Sequence, residues 1–330
     1  MFTLNHSRTY AKETSTALIL KTLIFLSMTA VLFLMTGCAK TEQKTITIAD
    51  QFGLAYAPLT IMKDLGYLDA KFESEDVAIV WEKYGNTTAI REAMLSGSLD
   101  VGFVGIPPFL LGRDNGMDWR IFSGLSESAV ALMTKDDGVQ SLNDLTDAHR
   151  IIMPQLGSIQ DVLLKMALEK NNIEVSKFDH QIVALSHPDG VALFQSGDRN
   201  DLHFTTPPYI DKDLEVAQAR ILLDGEACFG GEFTFIVGMC REAFYENQPL
   251  YLAFNQALDE SIAYINEQPE ASAEILARYY DYSSDQILAM IQNGDLSYSS
   301  EVKGLETFQT FMVEIGLLKE VRPTENLIWE

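Results

Sequence analysis

Short apolar runs alternate with helix-like patterns along the chain from Lys44 onwards, which predicts a sheet protein of the α/β class. The first part contains predicted strands at 45–50, 77–82 and 101–104. A second unit of the same kind contains predicted strands at 150–153, 181–184 and 202–204, separated by helices at 158–170 and 189–195. Two segments of similar size, both rich in βαβ pattern, therefore lie in one chain.

The last third of the chain has a different pattern, which is almost wholly helical from Arg241 onwards. Pro249 and Pro269 lie where predicted helices begin. The apolar stripes of these helices must cover a sheet, because they would otherwise face water. No long Gly/Ser linker separates the segments, so we expect short crossing strands to join them, with 129–134 and 233–238 as the candidates.

Composition limits the possible function classes. The 330 residues are 47% hydrophobic, and a chain of this length favours two domains over one. The formal net charge is −23, and the acidic residues are scattered rather than grouped in blocks. Such a charge repels polyphosphates, which argues against nucleic-acid binding.

The N-terminal region has the pattern of an export signal. Residues 22–36 form an uncharged, mostly apolar run that ends directly at Gly37 and Cys38. A run of this length is too short to span a bilayer, and Lys12 and Lys21 supply the positive flank of a secretory signal.

The junction before Cys38 resembles a bacterial lipobox, although Met35 stands three places before the cysteine, where Leu is usual. We therefore expect 1–37 to be a signal peptide, Cys38 to be lipidated and 38–43 to be a linker. An uncleaved anchor or a plain signal peptide is the alternative. Each of these three kinds of N-terminal segment places the rest of the chain outside the cytoplasm. In the lipoprotein case, the lipid would tether the chain to a bacterial membrane.

Two further cysteines, Cys228 and Cys240, follow the lipobox. An extracytoplasmic location permits a disulfide between them, but Cys240 lies in an apolar run that favours a buried free thiol. Neither cysteine has metal-ligand spacing, so no metal or other cofactor is expected.

The usual catalytic constellations do not occur in the sequence, which has no nucleophile elbow, Walker loop or dinucleotide fingerprint. The histidines of the mature chain are not spaced three to five residues apart. A Ser/His/Asp triad assembled from distant positions stays open, but no spacing favours it. We therefore expect a protein that is not an enzyme.

Five predicted strand-to-helix turns share a composition rich in Tyr, Phe, Ser, Thr and Asn: 51–56, 84–87, 105–109, 155–160 and 205–209. In open α/β sheets ligands bind at such edges, where N–H groups at helix starts attract anions or polar oxygens. The turns contain almost no catalytic residue types, so they predict a binding cleft rather than an active site.

The same turns carry a family resemblance. The segment 51–67 (QFGLAYAPLTIMKDLGY) looks like the opening of the nitrate/sulfonate/taurine and thiamine-pyrimidine-precursor binding proteins of ABC importers. The likeness continues through 93–102 (AMLSGSLDVG), Gly157-Ser158, 205–209 (TTPPY) and 266–279. It therefore covers nearly the whole mature chain.

The resemblance implies an α/β periplasmic-binding-protein fold of type II, with two lobes joined by crossing strands. Lobe 1 would comprise 44–130 plus 239–330, and lobe 2 would comprise 131–238. The implied function is the extracytoplasmic component of an ABC importer, which delivers a small molecule to a membrane permease with its cytoplasmic ATPase. We expect a monomer. The alternatives from other classes are a ligand-sensing receptor and an enzyme like the thiamine-pyrimidine synthases.

The expected ligand contacts lie in or beside the five turns and the crossing strands: Gln51, Tyr56, Asn86, Pro107, Glu127, Gly157, Ser158, Thr206, Tyr209 and Glu232. Sulfonate binders of the family often have a second Ser after Gly-Ser, whereas Ile159 follows Ser158 here. None of the five turns contains Arg or Lys. The aromatic and acidic candidates suit a planar nitrogen heterocycle or an amine, with nitrate or a sulfonate as the alternative.

Several of these residues also have a purely structural explanation. Ser158 and Asp161 match a capping pattern, so Asp161 is expected at a helix start rather than on the ligand. Asn86 either caps its helix or binds ligand, and the two glutamates either bind ligand or face solvent. His187 precedes a proline in a turn and is expected at the surface.

Overall fold

The computed structural model describes residues 44–73 and 77–329. The predicted signal peptide at 1–37, the lipidated Cys38 and the linker at 38–43 lie outside the described residues. Within the described residues, no helix is both long and apolar enough to cross a membrane.

The strands of the described residues are, in chain order, β1 (Lys44–Asp50), β2 (Val77–Lys83), β3 (Val101–Val104), β4 (Arg120–Ser128), β5 (Ala131–Thr134), β6 (Arg150–Met153), β7 (Ile182–Ala184), β8 (Asp201–Thr205), β9 (Arg220–Asp224), β10 (Ile236–Cys240) and β11 (Leu296–Ser297).

The α-helices of the described residues are α1 (Ala57–Asp64), α2 (Tyr67–Phe72), α3 (Thr87–Ser96), α4 (Ile106–Asp114), α5 (Ile159–Lys170), α6 (His187–Ser196), α7 (Tyr209–Leu214), α8 (Gly225–Phe229), α9 (Glu242–Glu246), α10 (Gln248–Glu267), α11 (Pro269–Leu276), α12 (Ser284–Gln292) and α13 (Leu305–Glu314). Short 3₁₀ turns lie at Leu54–Tyr56, Leu142–Asp144, Asp179–Gln181 and Thr324–Asn326.

The strands form two mixed sheets. The first has the order β11–β4–β10–β3–β1–β2, with β1 parallel to β3 and β10 antiparallel to both of its neighbours. The second has the order β7–β6–β8–β5–β9, with β6 parallel to β7 and β8, and β5 antiparallel to β8 and β9. This architecture confirms the predicted α/β class with two sheets.

Two short segments connect the sheets. The chain passes from the first sheet to the second between Ser128 and Ala131, and it returns between Asp224 and Ile236. Both passages overlap the segments 129–134 and 233–238 that the sequence predicts as crossings. The N–H of Gly225 donates to the carbonyl oxygen of Val130 at 2.7 Å, so the two passages are hydrogen-bonded to each other.

Strand β4 lies second from the edge of the first sheet, and the sequence pattern did not predict it. Its residues RIFSGLSES include small and polar types that have a weak strand preference. A Cβ atom at Gly124 would lie 2.2 Å from the carbonyl oxygen of Glu301, and the Gly124 N–H donates to the carbonyl oxygen of Ser300 at 2.8 Å. The small residue is therefore required because a distant loop packs against this strand.

The core lies between the sheets and their covering helices. Phe103 of β3 and Phe254 of α10 are fully buried and in ring contact, and α10 also packs against α1 and α2. This packing is the covering role that the apolar stripes of the C-terminal helices predict. Cys228 and Cys240 are buried free thiols, as the apolar run around Cys240 indicated.

Candidate ligand-binding cleft

A small cavity lies where strands of both sheets end. Its walls come from the residues after β1, β2 and β3 on one side and after β6, β7 and β8 on the other, and Phe235 and Ile236 of the returning passage complete them. We call it the cleft cavity. Its volume is about 50 Å³, which is well below the roughly 300–1,000 Å³ typical of sites that enclose a whole organic ligand.

Helix starts dominate the walls of the cleft cavity. Among the described residues, five helices of eight residues or more begin there, and each contributes its N-cap or first residue: Tyr56 for α1, Thr87 for α3, Gly105 for α4, Ser158 for α5 and Ser186 for α6. The first N–H groups of a helix have no acceptor within the helix, and its dipole makes this end electropositive. The convergence therefore creates a positive potential without a charged side chain.

Three of these starts are capped by side chains. Asn86 Oδ1 accepts from the Ala89 N–H at 3.0 Å, and Ser158 Oγ accepts from the Asp161 N–H at 3.3 Å. Ser186 Oγ accepts from the Asp189 N–H at 3.4 Å. Each cap uses a third-position amide and orders the first turn. It leaves two earlier amides for another acceptor in α3 and α5, but only that of His187 in α6, because Pro188 has no N–H.

The lining of the cleft cavity is uncharged and combines apolar side chains, such as Phe52, Ile159 and Phe235, with polar ones. No Asp, Glu, Lys or Arg occurs among the described residues that line it, and its polar side chains are those of Gln51, Tyr56, Thr87, Ser158, Gln160, Ser186, His187 and Thr206. Gln51 is held in place because its Nε2 donates to the carbonyl oxygen of Phe103 at 3.2 Å. The site therefore offers hydrogen-bond groups and helix ends rather than an ion-pair partner.

His187 forms part of the cavity wall, so the expectation that it lies at the surface is wrong. Its ring stacks on Tyr209 with centroids 5.4 Å apart and an interplanar angle of 11°. Burial, together with the nearby His203, lowers the pKa of His187 to about 3, so the imidazole is neutral at physiological pH.

The hydrogen-bond partners of His187 define its tautomer. The Nδ1 atom lies 3.0 Å from Thr205 Oγ1, and Nε2 lies 3.5 Å from the amide nitrogen of Gln160. Because an amide nitrogen only donates, Nε2 is the acceptor and the proton sits on Nδ1. The ring therefore fixes the Gln160 side chain at the cavity wall.

A buried ion-pair group supports the start of α5. Asp161 accepts from the Gly157 N–H at 2.8 Å and lies 3.0 Å from Lys165 Nζ, and Lys165 also contacts Asp179. Burial alone would lower the pKa of Lys165, but the two carboxylates outweigh it and raise that pKa, so the ammonium group stays charged. Asp161 is a helix-start residue, as the capping pattern predicts, and Lys165 compensates its charge.

The ligand contacts that the sequence predicts fall into three groups, according to whether they lie in the cleft cavity, beside it or outside it. Gln51, Tyr56, Ser158 and Thr206 line the cleft cavity together.

A second group lies directly beside the cavity. Asn86 caps α3 between two lining residues, Pro107 is buried in the first turn of α4, and Gly157 precedes the cap of α5 with φ of 75°. Tyr209 lies behind His187.

Glu127 and Glu232 form the third group, outside the cavity. Lys303 Nζ lies 2.8 Å from Glu127 Oε1 and 2.9 Å from Glu232 Oε2, so the two carboxylates share one lysine. The lining residues that sequence reasoning missed include Gln160 and Phe235. Gln160 lies in a turn that was singled out, but nothing in the local pattern distinguishes it from an ordinary first-turn residue.

Two mixed sheets joined by two passages, with a cavity at the carboxyl ends of strands from both, define the fold of the periplasmic binding proteins. Residues 39–277 match the NMT1-like family, and the chain belongs to that family.

Individual relatives are more distant. A protein of Bacillus subtilis (strain 168), named as an aliphatic sulfonates-binding protein, is 24% identical over 295 residues, which is 81% of each chain. The alkanesulfonate-binding protein of Xanthomonas axonopodis pv. citri bound to MOPS matches with a TM-score of 0.70 and 20% identity, over 88% of this chain and 99% of that one. The periplasmic nitrate-binding protein of Synechocystis PCC 6803 matches with a TM-score of 0.66 and 16% identity, over 86% and 84%.

Proposed function

We propose that this protein is the extracytoplasmic solute-binding component of an ABC importer and that its ligand is a small organic anion with a sulfonate head group. The ligand is bound between two lobes and delivered to a membrane permease, and no chemical step takes place. Family membership and the names of the relatives support the importer role, and the chemistry of the cleft cavity supports the anion.

The observation that carries the proposal is the convergence of five helix starts on a cavity with no acidic side chain. A sulfonate has one negative charge spread over three oxygens, each of which accepts N–H or O–H bonds. A helix N-terminus favours such a charge by about 0.3–1 kcal/mol when exposed and up to about 2 kcal/mol when partly buried. Ser158, Thr87 and Thr206 add hydroxyl donors at the same place.

A planar nitrogen heterocycle or an amine was the ligand class that the sequence favoured, and it is the second candidate. Tyr56 in the cavity wall is the observation in its favour, because an aromatic face can stack on a ring. The acidic partners proposed for such a ligand, Glu127 and Glu232, already share Lys303 outside the cavity. An amine would also meet the electropositive ends of helices, so the anion is preferred.

The organisation of the molecule follows from the same proposal. We assign 44–130 plus 239–330 to one lobe and 131–238 to the other. The first limit falls in the passage between Ser128 and Ala131, whereas the second lies just past the returning passage, inside β10 of the first sheet. Closure requires ligand groups that contact both lobes. The wall of the cleft cavity meets this requirement, since Gln51 follows β1 of the first sheet and Ser158 follows β6 of the second. The working form is a lipid-anchored monomer.

Calorimetric titration of the purified mature chain tests the proposal. Ethanesulfonate and nitrate are compared with cytosine and ethanolamine, in wild type and in Ser158→Ala. We expect ethanesulfonate to bind most tightly and Ser158→Ala to weaken it at least tenfold, because a hydrogen bond to a charged group contributes about 1.5–3 kcal/mol.

Ser283→Ala is the matched control, because Ser283 caps α12 through the same contact to a third-position amide, at 3.3 Å, and does not line the cavity. It should lose stability without changing affinity more than twofold. Tighter binding of cytosine or ethanolamine than of either anion would refute the anion assignment, and a lack of binding by all four compounds would contradict the receptor itself.

A further inference from the structure

A second and larger cavity lies next to the cleft cavity. Its volume is about 530 Å³, and five aromatic side chains line it: Phe52, Tyr209, Tyr279, Tyr280 and Tyr282. We call it the aromatic chamber. Pro188 and Val191 of α6 also line it.

The polar ends of three tyrosines are already bonded within the protein. Tyr279 donates to Asp64 at 2.6 Å, Tyr280 donates to the carbonyl oxygen of Gly53 at 3.1 Å, and Tyr282 donates to the carbonyl oxygen of Pro208 at 2.8 Å. These bonds fix the orientation of the rings. These three tyrosines therefore present ring surface rather than a free hydroxyl group to a ligand.

The charged groups of the chamber balance. Lys83 and Lys212 line it together with Glu215 and Asp281. Lys83 Nζ lies 5.0 Å from the centre of the Phe52 ring, and Lys212 Nζ lies 5.0 Å from the centre of the Tyr282 ring. With two groups of each sign, the chamber selects by shape and aromatic surface rather than by net charge.

The two cavities adjoin each other. Phe52 lines both of them, and the stacked pair of His187 and Tyr209 has His187 at the cleft cavity and Tyr209 at the aromatic chamber. The cleft cavity, at about 50 Å³, accommodates a compact head group and little more. The rest of any organic ligand must therefore extend into neighbouring space, and the aromatic chamber begins at the next ring.

We propose that the aromatic chamber binds the uncharged aromatic tail of a ligand whose sulfonate head binds in the cleft cavity. The substrate class is thus arylsulfonates with one or two fused rings. A cavity of about 150 Å³ accommodates benzene, so the chamber has room for two fused rings. Stacking on Tyr or Phe stabilises an aromatic tail beyond the area that it buries. This inference rests on the proposed function, because the head must bind for the tail to be positioned.

The test compares calorimetric dissociation constants for methanesulfonate, naphthalene-2-sulfonate and the uncharged naphthalene-2-sulfonamide. In the wild type, we expect naphthalene-2-sulfonate to bind at least tenfold more tightly than methanesulfonate, and the sulfonamide to bind far more weakly. Equal affinity of the two sulfonates would overturn the chamber assignment while leaving the proposed function intact. A failure of both sulfonates to bind would instead refute the proposed function.

Substitutions in the chamber distinguish the loss of ring contacts with the ligand from a general effect on folding. Val191→Trp fills the chamber from α6, and Tyr282→Leu removes a ring. In each variant naphthalene-2-sulfonate should no longer bind more tightly than methanesulfonate, and the dissociation constant of methanesulfonate should stay within twofold of the wild-type value. Tyr282→Phe retains the ring without its bond to Pro208 and should keep the advantage. Tyr67→Leu removes an aromatic contact with Tyr264 outside both cavities and is the matched control.

Thermal melting of each variant verifies folding before titration. Equal losses for both sulfonates in Val191→Trp and Tyr282→Leu would refute a separate tail site. Binding of the sulfonamide as tightly as the sulfonate would show that the chamber acts without the head group, which also overturns the inference.

Discussion

At the residue scale, the chemistry of the cleft depends on neutral side chains held in fixed orientations. His187 is the main example, because its half-buried ring contacts Thr205, Gln160 and Tyr209. Protonation would place a cation between two hydrogen-bond partners of which one, Gln160 Nε2, is a donor. The folded protein therefore keeps this ring neutral well below the pH at which a free histidine becomes charged.

The lowered pKa of His187 predicts a dependence of stability on pH. The folded-state pKa is about 3 and the ordinary value is 6.5, so between these values the unfolded chain binds a proton that the folded chain does not. Stability contributed by His187 is complete above pH 6.5 and is lost as the pH falls towards 3. The slope from this one group is at most about 1.4 kcal/mol per pH unit.

Urea unfolding of wild type and His187→Asn between pH 4.5 and 7 checks this sign. The variant should lose less stability on acidification than the wild type, because the group responsible is gone. His180→Asn, at an exposed histidine, is the control and should follow the wild type. If the free energy of unfolding of wild type and of His187→Asn fell in parallel with pH, the lowered pKa of His187 would be contradicted.

At the element scale, α5 is the helix on which the site most depends. Its residues from Ile159 to Leu168 are buried on every face, including Gln160, Asp161 and Lys165. A helix in this setting has no solvent-facing side for its polar residues, so the ion pair between Asp161 and Lys165 must be satisfied internally. The pair holds a carboxylate at the helix start while Lys165 compensates its charge.

Lys165→Met should therefore lower the free energy of unfolding by about 3–5 kcal/mol, because it leaves Asp161 buried without its cation. Adding Asp161→Asn should recover much of that loss, since both charges are then absent. Lys303→Met is the control, because Lys303 contacts two carboxylates at a more exposed position and should change stability by about 1 kcal/mol or less. The measurement is urea unfolding at pH 7, and equal effects of the two lysine variants would disprove the special role of α5.

At the scale of the whole molecule, two sheets and two passages place helix starts from both halves around one cavity. The passages are linked by the bond between Gly225 and Val130, so movement of one half relative to the other must involve residues near 129–130 and 225–235. This arrangement suits a receptor that closes on its ligand. It also has to remain close to a permease, which is the role proposed for a lipid on Cys38.

Lipidation at Cys38 is tested by metabolic labelling with a fatty-acid analogue. We expect Cys38→Ser to abolish labelling and to make the protein extractable without detergent, because acyl chains supply the membrane affinity. Cys228→Ser and Cys240→Ser are the controls, since both thiols are buried and free and neither change should affect labelling. Persistent labelling of Cys38→Ser would show that the lipobox assignment is wrong.

The sequence by itself determined the elements whose signals are local. The strands β1, β3 and β6 and the caps at Asn86 and Ser158 follow from apolar runs and from side chains that bond amides three residues away. It also placed the candidate binding residues in strand-to-helix turns, all five of which contribute lining residues to one cavity, among them Gln51, Tyr56, Ser158 and Thr206. These features need only contacts between near neighbours in the chain.

Tertiary structure decided everything that depends on long-range contact. Strand β4 forms because Gly124 lets the loop at 299–301 approach, and Glu127 and Glu232 both form ion pairs with Lys303, which arrives from another part of the chain. His187 lines the cleft cavity because the ring of Tyr209 stacks on one of its faces. Sequence patterns record the preference of each residue for its own element, whereas the chemistry of a cavity depends on which elements meet. For this reason the sequence predicted the candidate turns but did not predict the preferred charge of the ligand.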